Sequence, residues 1–228
     1  MMDLPGNSRE ILEEDLANLR TINRSLGAYR GVLRYLRGVT RAGRIRTFSF
    51  LDLGTGAGDL PAALARWARN EGIDAKIVGL DLDQVTLGVA RGQTDKCPEV
   101  FLVRADVFRL PFAGFSFDFV HASQLLHHFS EEEIVALLKD CSKIARRGVL
   151  ISDLVRHPLA YYGISALTRL FSRNQMTRID APLSVKRAFT LSEWEDLFDR
   201  AAIGHARVAA LFPFRIFAFF PLVSYEAL

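Results

Sequence analysis

The stretch from Phe48 to Asp59, FSFLDLGTGAGD, joins two kinds of sequence at one turn. Phe48, Phe50, Leu51 and Leu53 form a short apolar run of the sort a buried strand uses, and the run breaks at once into Asp52-x-Gly54-x-Gly56-x-Gly58. Pro61 then opens an alanine-rich segment with helical spacing, so the reading is strand, glycine turn, helix start. Glycines at alternate positions remove every Cβ from one side of the turn. A ligand can therefore lie against bare backbone N–H groups at the positive end of the following helix. A turn built this way holds a nucleotide-like ligand.

The spacing narrows the ligand. A dinucleotide fingerprint needs Gly-x-Gly-x-x-Gly, but the third glycine falls at Asp59 when counted from Gly54 and at Pro61 when counted from Gly56. A carboxylate at Asp52, just ahead of the turn, repels a pyrophosphate and suits a cation.

The 228 residues are half hydrophobic, enough for one domain that buries roughly 70% of its unfolded surface. The net charge is only +3, yet Arg20, Arg24, Arg30, Arg34, Arg37, Arg41, Arg44 and Arg46 all lie between positions 20 and 46. Only Tyr29 and Tyr35 interleave with them, which reads as a solvated helix face and not as a nucleic-acid surface. Cys97 and Cys141 are isolated, so a reduced, cytoplasmic protein is expected. The acidic start has no signal-peptide core, and the apolar tail from Ile216 to Val223 is too short to span a bilayer.

Asn7 and Glu10 suggest a capping box for a long amphipathic helix carrying Leu12, Leu16, Leu19, Ile22, Leu26, Tyr29, Leu33 and Leu36, with an interruption at Gly27 or Gly31. Gly38 to Arg46 reads as a basic linker. Strands are expected over Ala75 to Leu80, Val100 to Val103, Phe117 to Ala122 and Val149 to Ser152, alternating with helices after Pro61, over Val85 to Arg91 and after Ser130. That rhythm implies a parallel, doubly wound α/β sheet. His157 to Phe171 reads helical, Ser172 to Phe189 reads as a polar stretch broken by Pro182, and Thr190 opens another helix. Ala206 to Leu211 and Arg215 to Phe220 make a terminal hairpin around Pro213. The division expected is a helical lid over residues 1–44 and a catalytic domain over 45–228 with an insertion near 156–189.

In such a sheet, ligands lie at the carboxyl ends of strands where the strand order reverses. Asp81, with Leu82 beside it, ends the second strand and is placed to accept from both hydroxyls of a ribose. Asp106 follows the third strand and can accept from an adenine amino group while the Val107 N–H meets a ring nitrogen.

With these residues, quoted as LDLGTGAGD, VGLDLD, LVRADVFRLPF, FDFVHASQLLHHF and VLISDL, the chain resembles class I S-adenosylmethionine (SAM) dependent methyltransferases. It is most similar to the group of ubiquinone, menaquinone and natural-product small-molecule methyltransferases. The resemblance covers about Ile45 to Leu154. It implies a Rossmann-like seven-stranded, mostly parallel sheet with an antiparallel last strand. It also implies SAM as cofactor, held by Asp52, Gly54, Thr55, Gly56, Gly58, Asp81, Leu82, Asp106 and Val107, with His121, Ala122 and Ser123 at the methionine portion. Asn23 and Arg24 can meet the SAM carboxylate if the first helix closes over the site.

Methyl transfer to a phenol or alcohol requires loss of a proton, and histidine has the unperturbed pKa nearest working pH. His127 and His128 follow the fourth strand and Asp153 ends the fifth. In several sugar and natural-product O-methyltransferases, a histidine and an acid at those places act together on the hydroxyl. His157 and Arg187 are further candidates, Arg187 facing either the ligands or Asp180. No His, Asp or Glu spacing suggests a metal. Phe108, Phe112, Phe115, Phe129, Phe171 and Phe189 are expected to flank the pocket, so the acceptor expected is small, lipophilic and aromatic, polyketide- or quinol-like. The reading is O-methylation of its hydroxyl. C-methylation of a quinone precursor is the nearer rival, and an RNA or protein methyltransferase, supported only by the arginine-rich helix, the more distant one.

Overall fold

The structure, a computed structural model, describes residues 9–25, 27–203 and 206–222, and the side chains of all of these but residues 9–12, 24 and 25. In chain order the elements are α1 (Arg9–Ser25), α2 (Arg30–Ala42), β1 (Thr47–Leu53), α3 (Asp59–Asn70), β2 (Asp74–Asp81), α4 (Gln84–Thr94), β3 (Val100–Arg104) and β4 (Phe117–Ser123). There follow a 3₁₀ turn (Leu126–His128), α5 (Glu131–Ile144), β5 (Ala145–Leu154), α6 (Pro158–Phe171), α7 (Gln175–Arg187), α8 (Leu191–Ala201), β6 (Arg207–Leu211) and β7 (Arg215–Pro221).

One seven-stranded sheet runs β3-β2-β1-β4-β5-β7-β6. The first five strands pair in parallel, and β7 lies antiparallel between β5 and β6. Strand order reverses between β1 and β4, which opens a crevice at their carboxyl ends.

Alternation along each strand explains how both faces are filled. In β1, Leu51 and Leu53 face the layer of α5 and α8, while Phe48 and Phe50 face α2 and α3. In β7, Ile216, Ala218 and Phe220 point one way and Phe217 and Phe219 the other. A central sheet covered on both faces reads as continuous apolar sequence, as it does here.

Three boundaries differ from the sequence reading. The linker expected from Gly38 is helix, because α2 buries Val32, Leu36 and Thr40 along one stripe and leaves Gly38 on the open side. The helix α2 therefore belongs to the core, and only α1 lies outside it; the break falls at Gly27, whose φ is +69°. Gly31 is instead inside α2, where a Cβ would come within 2.9 Å of Leu211 and 3.0 Å of Phe217. The stretch expected to be broken by Pro182 is α7, capped by the Asn174 side chain on the Met176 and Thr177 N–H groups. Its buried Met176, Thr177, Ala181 and Val185 hold the helix through the proline, whose missing donor ordinarily costs a helix interior about 3 kcal/mol. Asn7 of the suggested capping box and the tail from Val223 lie outside the described residues.

Candidate active site

The glycine turn adopts the left-handed backbone that alternate glycines permit: φ is +62° at Gly54, +55° at Gly56 and +76° at Gly58. The three have different duties. A Cβ on Gly56 would meet nothing within 4 Å, so this position presents bare backbone to the crevice. A Cβ on Gly58 would lie 3.1 Å from that of Ala90, so Gly58 instead lets α4 pack against the turn.

Beneath the turn runs a buried polar row. Asp52 accepts from the Thr55 hydroxyl at 2.9 Å and from His121 Nδ1–H at 2.9 Å, and His121 Nε2 reaches Ser152 Oγ at 3.3 Å. The row crosses β1, β4 and β5 because Asp52 and His121 are register partners on paired strands. Asp81 holds the turn from the other side, accepting the Gly56 N–H at 2.9 Å and the Asp83 N–H at 3.1 Å. Burial, outweighing these hydrogen bonds, raises its carboxyl above the ordinary value.

Above the sheet is a cavity of about 420 Å³, a size suited to a small molecule. Gly54, Thr55, Gly56, Asp52 and Asp59 form its floor on the β1 side, Ser123 and Gln124 on the β4 side, and Phe214 and Arg215 on the β7 side. Its roof comes from α1, α6 and α7, through Leu16, Leu19, Ile22, Leu159, Ile164, Leu167 and Val185. The helix α1 is tied down at several points. Arg20 Nε lies 4.0 Å from Asp59, and Asn18 donates to Ser172 and Thr177 at 3.2 Å each. The fully buried Asp15 accepts from the Thr177 hydroxyl at 2.6 Å, and Asn174 donates to Glu14 at 3.2 Å.

At the β5 end, His127 Nδ1–H donates to Asp153 Oδ1 at 2.6 Å. The other Asp153 oxygen accepts the Leu126 N–H at 3.2 Å, so the acid fixes both the ring and the 3₁₀ turn that carries it. With Nδ1–H given to the carboxylate, Nε2 is the ring nitrogen left for another partner. That Nε2 is buried and has no hydrogen-bond partner among the described residues, while His127 itself is part of the cavity wall. The exposed His128 ring lies beside it, centroids 4.4 Å apart.

The cavity thus gathers Asp52, Gly54, Thr55, Gly56, Ser123, Asn23, His127, His128 and Arg187 from the residues singled out in the sequence. Others stand apart from it. His121 and Ala122 are buried in the sheet, and Asp81, the exposed Leu82, Asp106 and Val107 lie at the ends of β2 and β3, beyond the cavity wall. Asp106 caps its own loop by accepting the Phe108 N–H at 2.9 Å. The Arg24 side chain is outside those described. His157 caps α6 and stacks on Phe214, centroids 4.8 Å apart. The six expected phenylalanines do not line the cavity: Phe108 pairs with Phe129, Phe189 with Trp194, Phe112 with Phe117, and Phe115 and Phe171 face outward. Aliphatic side chains of α1 and α6 take the role assigned to them, because the roof is helical and its inward stripe is leucine and isoleucine.

Arg215, Tyr29 and Asp59 are site residues that the sequence reading did not assign. Burial first, then the Asp59 and Asp52 carboxylates, push the Tyr29 phenol up, so it is neutral and donates to Asp59. The one available signal for Arg215 is its place as a lone charge opening the apolar run RIFAFF.

The donor set suits SAM. Bare backbone at Gly56, carboxylates at Asp52, Asp59 and Asp81 around the turn, and no basic side chain on it favour a cationic, phosphate-free ligand. Among the described residues, no three His, Cys, Asp or Glu side chains converge as a metal site, and no helix is long and apolar enough to cross a membrane.

The seven-stranded fold and the glycine turn are those of class I SAM-dependent methyltransferases, and residues 50–148, less than half of the chain, match the methyltransferase domain family. Among curated proteins, the chain is 31% identical over 119 residues to a demethylmenaquinone methyltransferase of Roseiflexus, covering 50% of this chain and 46% of that one. It is 37% identical over 67 residues to a 2-phytyl-1,4-naphtoquinone methyltransferase of Thermosynechococcus vestitus, covering 29% and 28%. The chain thus spans less than half the length of either relative. A SAM-dependent methyltransferase of Aquifex aeolicus shares the fold, with a TM-score of 0.60 at 16% identity over 82% of this chain and 88% of that one.

Proposed function

We propose that the chain methylates the hydroxyl of a small, lipophilic aromatic acceptor, polyketide- or quinol-like, with His127 as the base. The observation that carries this is the His127 pair with Asp153: an imidazole oriented through Nδ1, with no Nε2 partner among the described residues, in the wall of a cavity roofed by aliphatic helices.

Bound SAM supplies a methyl carbon already activated by a sulfonium. What remains for the protein is to position the acceptor, exclude water and take one proton. The glycine turn with Asp52 and Ser123 holds the cofactor at the β1 and β4 ends, and Asp81 and Asp106 serve its nucleoside side. The aliphatic roof excludes water and favours a flat apolar acceptor. His127 Nε2 accepts the hydroxyl proton, and Asp153 steadies the imidazolium so formed. His128 is the reserve candidate. Since α7 packs over the 3₁₀ turn, α1 and α7 act as a lid that opens for the acceptor and closes for transfer.

A second reading is C-methylation of a quinone precursor, favoured by the names of the two curated relatives. There the same base removes a ring proton after transfer. The test is to incubate the protein with SAM and a quinol panel and to locate the new methyl group by NMR. An O–CH₃ signal supports the first reading and a ring C–CH₃ signal the second. Absence of methyl transfer to every hydroxylated aromatic would remove both.

A further inference from the structure

Arg215 is the first residue of β7, paired with Leu154 at the end of β5. It lines the cavity but is only 5% exposed. Its Nη2 donates to Asn23 Oδ1 at 3.0 Å, and its Nε has no partner at all among the described residues. The largest influence that favours its charge is Asp153, whose oxygens are already taken by His127 and by the Leu126 and Leu154 N–H groups. Burial lowers the Arg215 pKa all the same. Arginine keeps its charge in proteins, so here a buried guanidinium has one amide oxygen as its hydrogen-bond acceptor among the described residues and no carboxylate in direct contact. Buried charges are ordinarily paired, and a neutral amide does not pair one.

We propose that Arg215, with Asn23 steadying it, is the subsite for a carboxylate carried by the aromatic acceptor beside the hydroxyl to be methylated. The proposal rests on the hydroxylated-aromatic reading above and narrows it to hydroxy acids. Position argues for the acceptor as the source of the anion. In the order β1-β4-β5-β7, Arg215 stands one strand spacing from Asp153 on β5 but three spacings, about 14 Å, from the glycine turn on β1. A planar acid ortho to a phenol can therefore meet the guanidinium with its carboxylate while its hydroxyl faces His127. The guanidinium fork matches a carboxylate's two oxygens, and the free Nε is one of the donors that such a pair uses.

The probes are 3-hydroxy-2-naphthoate and 2-naphthol, which differ in the carboxylate alone, titrated by calorimetry into the whole protein saturated with S-adenosylhomocysteine. The expected result is that the acid binds about tenfold tighter or more, the range of one charge-assisted hydrogen bond. Arg215→Met should abolish that preference, and Arg215→Lys, which keeps the charge but not the fork, should retain part of it. Affinity for S-adenosylhomocysteine should be unchanged in both. Equal binding of the two probes by the wild type overturns the carboxylate subsite while leaving the aromatic reading standing. A loss of S-adenosylhomocysteine affinity in Arg215→Met or Arg215→Lys assigns the guanidinium to the cofactor's own carboxylate and likewise overturns it. Binding of neither probe by the wild type overturns both readings. The wild-type comparison needs no variant, so the inference stays testable even if Arg215→Met does not fold.

Discussion

Asp153 holds His127 at both ends: one carboxylate oxygen takes the ring Nδ1–H at 2.6 Å, and the other takes the backbone N–H of the preceding residue, Leu126, at 3.2 Å. The ring cannot rotate or tip without breaking a contact, so the direction in which Nε2 points is preset. If that is its use, His127→Ala should lower the single-turnover rate ~10²-fold or more with little change in SAM affinity. The loss should shrink for phenols acidic enough to be ionised beforehand, since an unperturbed phenol near pKa ~10 is protonated at neutral pH. Asp153→Asn should reproduce much of it by releasing the ring. Equal losses across a series of phenols of falling pKa would mean that the ring shapes the pocket and transfers no proton.

If Asp81 serves the cofactor's ribose as proposed, it couples binding to stability in opposite directions. Its carboxylate holds the Gly56 N–H, yet burial raises its pKa above 3.8. A carboxyl raised on folding makes the fold less stable as pH climbs from 3.8 through the raised value, and that penalty persists at neutral pH. Asp81→Asn should therefore raise the unliganded melting temperature at pH 7 while weakening SAM. Asp81→Ala should weaken SAM further, and NAD should not compete in either protein. Calorimetry with both ligands and a thermal melt check this, and unchanged SAM affinity in Asp81→Ala would remove the ribose assignment.

The seam between α1 and α7 makes a second pH prediction. Asp15 is fully buried between α1 and α7 with Oδ2 unpartnered among the described residues, and burial raises its pKa despite the Thr177 hydroxyl. Glu14 and Asp180 push the same way. Docking of α1 is thus favoured while Asp15 is protonated and loses stability as pH rises above 3.8. Asp15→Asn should raise the melting temperature at neutral pH, by about 2–4 °C for each kcal/mol recovered. The gain should vanish at low pH, and a gain independent of pH would refute the protonation account.

Removing residues 1–26 should leave a folded core, because α2 and not α1 packs on the sheet. It should also abolish methyl transfer, since α1 supplies Leu16, Leu19 and Ile22 to the roof. Circular dichroism and product formation are the two measurements. Full activity in the truncated protein would show that α1 is no lid.

Gly148 tests the sheet itself. A Cβ there would lie 2.2 Å from Phe219 Cε2 and 2.7 Å from the Phe220 carbonyl oxygen, on the strand paired with it. The ring can move but the carbonyl cannot, so Gly148→Ala should cost about 1–3 kcal/mol or more in urea unfolding. A neutral result would mean that β5 and β7 are not in this register.

Local sequence determined the frame: apolar runs, the glycine turn and the capping residues Ser130 and Thr190 act within a few positions, and each emerges as an element where expected. The same holds for the pairing of His127 with Asp153, which two adjacent strand ends force together once the sheet is parallel. Only tertiary structure decided which side chains share the cavity. Arg215 reads as one charge ahead of an apolar strand until β7 inserts antiparallel beside β5 and carries it under α1 to Asn23. The phenylalanines pointed the wrong way for the complementary reason. Apolar residues signal burial without saying against what, and here they bury against one another while aliphatic helices roof the site. Pro182 was misread because local propensity is a few kcal/mol at most, and the packing of α7 exceeds it.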